Sequence, residues 1–110
     1  MKVDQKGTIV TIKDTQGDIQ SFVEKVTHEQ HLFKSKNLIL DLSHNKNVTL
    51  KDIKLFYDLS NSHKKEKKSF ILVADGIDFN AIPPKINVVP SIQEAHDIIE
   101  MEEIERDLGF

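Results

Sequence analysis

The sequence has no cysteine and no tryptophan. The first absence removes disulfides, thiolate nucleophiles and cysteine-ligated zinc or iron–sulfur centres together, and it fits a reducing compartment. Six Phe and one Tyr argue against an aromatic stacking platform for single-stranded nucleic acid. A formal net charge of −3 gives no general attraction to phosphate backbones. The four glycines are scattered, with none grouped as in a phosphate-cradling loop. No apolar run approaches the ~20 residues of a membrane span, and "MKVDQKGTIV" holds no signal-peptide core. The expectation is a cytoplasmic protein with no nucleic-acid or membrane partner and no cofactor.

What is present is one domain's worth of alternating strand and helix patterns. The 110 residues suit a single core, taken as one domain over 1–110. Met1 to Gln5 reads as an edge strand that turns through Gly7 into the β-branched run 8–13, a hairpin. Asp18 is placed to cap a helix over 19–32, whose apolar positions are Ile19, Phe22, Val23 and Val26, closed by Leu32 or Phe33. Leu38 to Leu42 is a buried strand. Thr49 and Asp52 form a capping box with Asp in place of the usual Glu, opening a second helix that buries Leu50, Ile53, Phe56 and Tyr57 and ends near His63. "SFILVA" and "INVV" are the last strands, with Pro83 and Pro84 between them leaving room for one helical turn. Ser91, with Glu94 three residues on, caps a third helix. This alternation predicts an α/β fold: a mainly parallel sheet of four or five strands with right-handed crossovers, an N-terminal hairpin and three main helices.

Residues 38–53, "LILDLSHNKNVTLKDI", resemble the signature of the STAS domain, the fold of bacterial anti-sigma factor antagonists. In that family an apolar strand ending in Asp leads into a turn at the start of a helix. Leu40, Asp41, Leu42 and Ser43 match the strand end. Val48 and Thr49 fall on the family's apolar–Asp pair, Leu50 and Lys51 on its two serines, Asp52 on its glycine and Ile53 on the following leucine. The order of elements agrees along nearly the whole chain, while the specific motif matches in the first half. The resemblance implies a protein–protein interaction module whose partner is an anti-sigma factor or a related kinase-like regulator.

Two departures bear on what such a module could do. Family members in partner-switching pathways are phosphorylated on a serine in the turn. The matching position here is Lys51, which cannot accept phosphate; Thr49, two residues earlier, is the nearest hydroxyl and the remaining candidate for modification beside its capping role. The family also places a helix where "IDFNAIPPK" stands here. The expected partner-binding residues are Ser43, His44, Asn47, Thr49, Lys51, Asp52 and Lys54.

Other constellations carry less. His28 and His31 are three apart, the wrong spacing for a zinc-protease pair, and no third ligand is evident; no metal site is expected. Asp41 at a strand end resembles a receiver-domain phosphoacceptor, but Asp14 and Asp18 are poorly placed for the acidic pair and Lys85 precedes the last strand. No catalytic residue stands out, so no enzyme is expected. A second reading is a small ligand or nucleotide held by Asp41, Thr49 and Asp75 at the strand C-terminal ends.

The C-terminal helix poses a separate question. Residues 91–110 hold seven acids against Arg106, a local charge of −6. Ile92, Ala95, Ile98 and Ile99 share one face, whereas at ~100° per residue Met101, Ile104 and Leu108 project from nearly the opposite side. Either the helix bends after Glu100, or the tail frays, or Met101, Ile104, Leu108 and Phe110 meet a partner or a second copy in a homodimer.

Overall fold

The computed structural model describes residues 1–109. Five strands, β1 (Lys2–Lys6), β2 (Ile9–Lys13), β3 (Asn37–Asp41), β4 (Phe70–Val73) and β5 (Asn87–Val89), form one sheet in the order β1-β2-β3-β4-β5. β1 is antiparallel to β2 through a tight turn in which Gly7 takes φ +60, the left-handed region that glycine enters without a steric penalty. All other pairings are parallel. The α/β class, the mainly parallel sheet and the N-terminal hairpin are therefore as the sequence predicts.

The monotonic strand order decides where the helices lie. Successive right-handed crossovers that always step in one direction put every connection on the same face of the sheet. On that face α1 (Ile19–Glu29), α2 (Leu50–Lys54) and α3 (Tyr57–Lys65) bury Phe22, Val26, Ile53, Phe56 and Leu59 against Val10, Ile12, Leu38, Leu40, Phe70 and Leu72. The opposite face would be bare without α4 (Ile92–Asp107), the terminal helix, which is free of the crossover rule. Its Ala95 and Ile99 pack on Ile39, Ile71 and Val73, with Ile92 and Ile98 beside them. β3 lies between both layers, and all five of its residues are buried.

Several local expectations are met and several are corrected. Asp18 accepts from the Ser21 amide, and Ser91 from that of Glu94. The first helix ends at Glu29 and passes into a 3₁₀ turn over Gln30–Phe33; Phe33 packs on the core while Leu32 is exposed. The expected second helix is two helices. After Lys54 the amides of Leu55 and Phe56 bond three residues back, to Asp52 and Ile53, and this tightening swings Phe56 into the core. Leu50, expected to be buried, is exposed. The segment between β4 and β5 holds a single 3₁₀ turn, Phe79–Ala81.

α4 is one uninterrupted helix over Ile92–Asp107. Its inward seam runs Ile92, Ala95, Ile99, Glu102, Arg106, a spacing of three and four that never leaves one face. What changes is the chemistry. Beneath the last two turns lie Asn37 and Ser69, both buried. Arg106 donates to Asn37 Oδ1 and Ser69 Oγ, each at 3.2 Å. Ser69 Oγ donates to Glu102 at 2.6 Å, and Asn37 Nδ2 donates to Glu103 at 3.2 Å. The second half of α4 is thus held to the sheet by a polar clamp, and Met101, Ile104 and Leu108 face away from it, exposed. Phe110, grouped with them from the sequence, lies outside the described residues.

His63 marks the other end of the α1–α3 layer. It is buried against Phe70. Its Nε2 lies 2.8 Å from the Lys36 carbonyl, which can only accept, so Nε2 carries the proton and Nδ1 accepts from Gln30 Nε2 at 3.4 Å. Burial pulls the imidazole below its ordinary value of 6.5, against the smaller opposing pulls of the Lys36 carbonyl and Glu66. Between the folded and unfolded values the unfolded chain binds more protons. Stability is therefore full above about pH 6.5 and falls as pH drops through the lower, folded value, where the loss levels off. Chemical denaturation across this window should show the fall, and His63→Gln should flatten it; an identical profile in the variant would contradict this assignment.

Candidate functional site

Parallel strands deliver their C-terminal ends to one edge of the sheet, where three loops meet: 14–18 after β2, 42–49 after β3 and 74–78 after β4. The middle loop is the elbow that leads into α2. Its wiring follows from residue types that bond their own backbone. Asp41 accepts from the Ser43 amide at 2.9 Å, and Asn45 from that of Asn47 at 2.9 Å. Asn45 Nδ2 donates to the Gly17 carbonyl at 3.2 Å, tying the elbow to the loop before it. Gly17 holds φ +77 with His44 against it. Val48 is buried beneath.

The capping box closes the elbow. Thr49 Oγ1 accepts from the Asp52 amide at 3.2 Å, and Asp52 Oδ2 accepts from the Thr49 amide at 3.0 Å. Asp thus completes both bonds that Glu usually supplies. Thr49→Ala should cost about 1 kcal/mol of stability and Thr49→Ser much less, read as shifts of the urea midpoint. A Thr49→Ala protein as stable as the parent would show that the hydroxyl is free for another role.

The expected partner-binding residues are brought together here. His44, Asn47, Thr49, Lys51 and Lys54 are exposed, and Ser43 and Asp52 half-exposed. Sequence reading missed Leu50 and Leu55, each 38% exposed, and Lys46, which is exposed on the same elbow. Because Ile53 and Phe56 anchor α2 from below, the outer side of this short helix carries Leu50, Lys51, Lys54 and Leu55. It is an apolar surface with cations, set beside a loop whose backbone is bonded by the side chains of Asp41, Asn45 and Asp52.

Asp41, Thr49 and Asp75 share this end of the sheet, but each bonds within its own loop: Asp41 to Ser43, Thr49 to Asp52, and Asp75 to the Gly76 amide at 2.8 Å. Depressions of about 510, 380 and 410 Å³ lie at the opposite end, beside Ser69 and Arg106, beside His31 and Lys34, and beside Lys67 and Asp107. The lysine-rich stretch 63–68, "HKKEKK", also lies there. Asp14, read from sequence as poorly placed for a receiver-type acidic pair, follows β2 directly: its amide donates to the Asp41 carbonyl at 3.0 Å, and it is buried. Its carboxylate accepts from the amides of Gln16 and Gly17 at 3.0 and 3.2 Å, which makes it the keystone of the first loop. Lys85 lies at the other end of the sheet, over the Tyr57 ring. His28 and His31 are exposed, and among the described residues no group of three or more His, Asp or Glu is placed to hold a metal ion. Among the described residues no helix is long and apolar enough to cross a membrane. No protein-family model matches the chain, and no curated protein does.

Proposed function

We propose that this chain is a non-enzymatic, cytoplasmic interaction module with a STAS-like fold, which docks a regulatory protein through the elbow and the outer side of α2. The observation that carries this reading is the pairing of exposed Leu50 and Leu55 with Lys51 and Lys54 on a helix whose entry is fixed by its capping box and by the side chains of the preceding loop. A surface already held in shape loses little conformational freedom on binding, so apolar contact there turns into affinity with less offset. The strand order and the position of the elbow support the STAS-like assignment. Lys51 in place of the family's phosphorylated serine supports a module whose docking is not switched by phosphate at that position. The resemblance alone suggests the partner class, an anti-sigma factor or a kinase-like regulator.

The test is capture from the native cell followed by substitution. Lys51→Glu should leave the melting temperature unchanged, because Lys51 is exposed, and should weaken binding of the captured protein about tenfold, equivalent to ~1.4 kcal/mol. Equal binding by Lys51→Glu and by Leu55→Ser would sink the reading. The alternative of a small ligand at Asp41, Thr49 and Asp75 makes a different forecast: nucleotide would raise the melting temperature, and Thr49→Ala with Asp75→Ala would abolish the rise.

A further inference from the structure

α4 presents a second surface, unlike the elbow in sign. Met101, Ile104 and Leu108 are 60%, 55% and 67% exposed, and their spacing places them on one ridge that runs two turns, ~10 Å, along the helix. At ~100° per residue the ridge is flanked by Glu94 and Glu105 on one side and by Glu100 and Asp107 on the other, with Asp97 in line; all five acids are exposed. Arg106, the helix's only Lys or Arg, is turned inward to Asn37 and Ser69. The polar clamp holds this half of α4 to the sheet, and the three apolar side chains point away from it with more than half of each exposed.

We infer that this ridge docks a basic amphipathic helix of another protein. Three occupants fit an apolar helical ridge in principle, and charge separates them. A helix that lies on a membrane flanks its apolar face with Lys and Arg; five carboxylates are repelled by anionic lipid. A second copy packed α4 on α4 sets acid against acid, and like charges across an interface cost affinity. A partner helix with apolar residues at i, i+3, i+4 and i+7 and lysines or arginines beside them meets the ridge with apolar contact at the centre and opposite charge at the rim. This surface is separate from the elbow, so the inference stands or falls independently of the proposed function.

The probe is a synthetic peptide of about 14 residues, or four helical turns, with leucines at that spacing and lysines elsewhere. A control peptide keeps the lysines and replaces every leucine with serine. Amide shifts of the ¹⁵N-labelled chain should move in a saturable way along Asp97–Leu108 with the leucine peptide and not with the control. Ile104→Ser and the pair Glu100→Lys with Glu105→Lys should each weaken binding about tenfold or more, with unchanged melting curves showing the fold intact. Raising salt from about 0.1 M to about 1 M, which shortens the Debye length from ~10 to ~3 Å, should weaken it as well. Shifts centred elsewhere, equal response to the control peptide, or indifference to these substitutions would overturn the inference. So would a solution mass of two chains that falls to one with Ile104→Ser, because the ridge would then belong to a second copy.

Discussion

Asn37→Ala is expected to destabilise the protein by about 3 kcal/mol, the upper end for leaving buried hydrogen-bonding groups unpaired. Asn37 is 1% exposed and uses both ends of its amide. Oδ1 accepts from the Ser69 amide at 2.9 Å and from Arg106 at 3.2 Å; Nδ2 donates to Glu103 at 3.2 Å and to Thr8 at 3.3 Å. Alanine strips the partner from the buried Ser69 amide and loosens both charged residues of α4 that meet Asn37. The loss should appear as a lower urea midpoint and as faster hydrogen exchange in the last two turns of α4. Asn37→Asp separates the two ends. Its carboxylate still accepts from Ser69 and Arg106, but its second oxygen faces the Glu103 carboxylate. Two carboxylates in contact hold a proton more tightly in the folded state, so this variant should gain stability relative to the parent as pH falls from about 7 toward about 4. A full-sized loss that is independent of pH would mean that Asn37 acts through packing and not through the clamp.

The clamp also shows where the sequence is legible and where it is not. Signals confined to a few neighbours came through: the caps at Asp18, Thr49 and Ser91, the buried run of β3, and the single turn permitted before Pro83. Each depends on backbone groups and side chains within four residues. For α4 the two apolar faces were legible, and Met101, Ile104 and Leu108 do lie on the side away from the sheet; what holds the second half of the helix was not. The seam Ile92, Ala95, Ile99, Glu102, Arg106 has regular spacing throughout, and reading it requires knowing that Asn37 and Ser69, far away in sequence, make the floor beneath it polar. The role of Asp14 in bonding the first loop was not read for a related reason, since its place beside Asp41 is set by the register of β2 on β3. His63 was readable in principle, being seven residues beyond Phe56 and four beyond Leu59, on the same buried stripe. At the candidate site, the elbow's position and its polar residues were legible. The exposure of Leu50 and Leu55 was not, because periodicity gives the inward side of α2 without showing how far the core covers its ends.

The break after Lys54 makes Phe56 the strongest single lever on the elbow, and Phe56→Ala is expected to cost about 3–5 kcal/mol, the range for truncating a buried aromatic ring. Phe56 is fully buried and meets Phe22 of α1 with ring centroids 6.4 Å apart and planes tilted at 59°. Only Ile53 and Phe56 hold α2 and its exit to the core from within, and five residues of helix cannot persist without tertiary support. Removing the ring should therefore act on two scales. Global stability should fall, seen as a lower urea midpoint. Exchange protection of the Leu55 and Phe56 amides, which close the end of α2, should fall further than that of β3. Phe56→Leu fills most of the space and should cost less than about 1.5 kcal/mol. The two substitutions then give a graded test of the elbow as a docking surface. If binding depends on a pre-set α2, affinity should drop with Phe56→Ala even where the chain remains folded, and should change little with Phe56→Leu. Equal affinity in both, with the Ala variant folded but its α2 amides unprotected, would show that the partner does not read the outer side of α2.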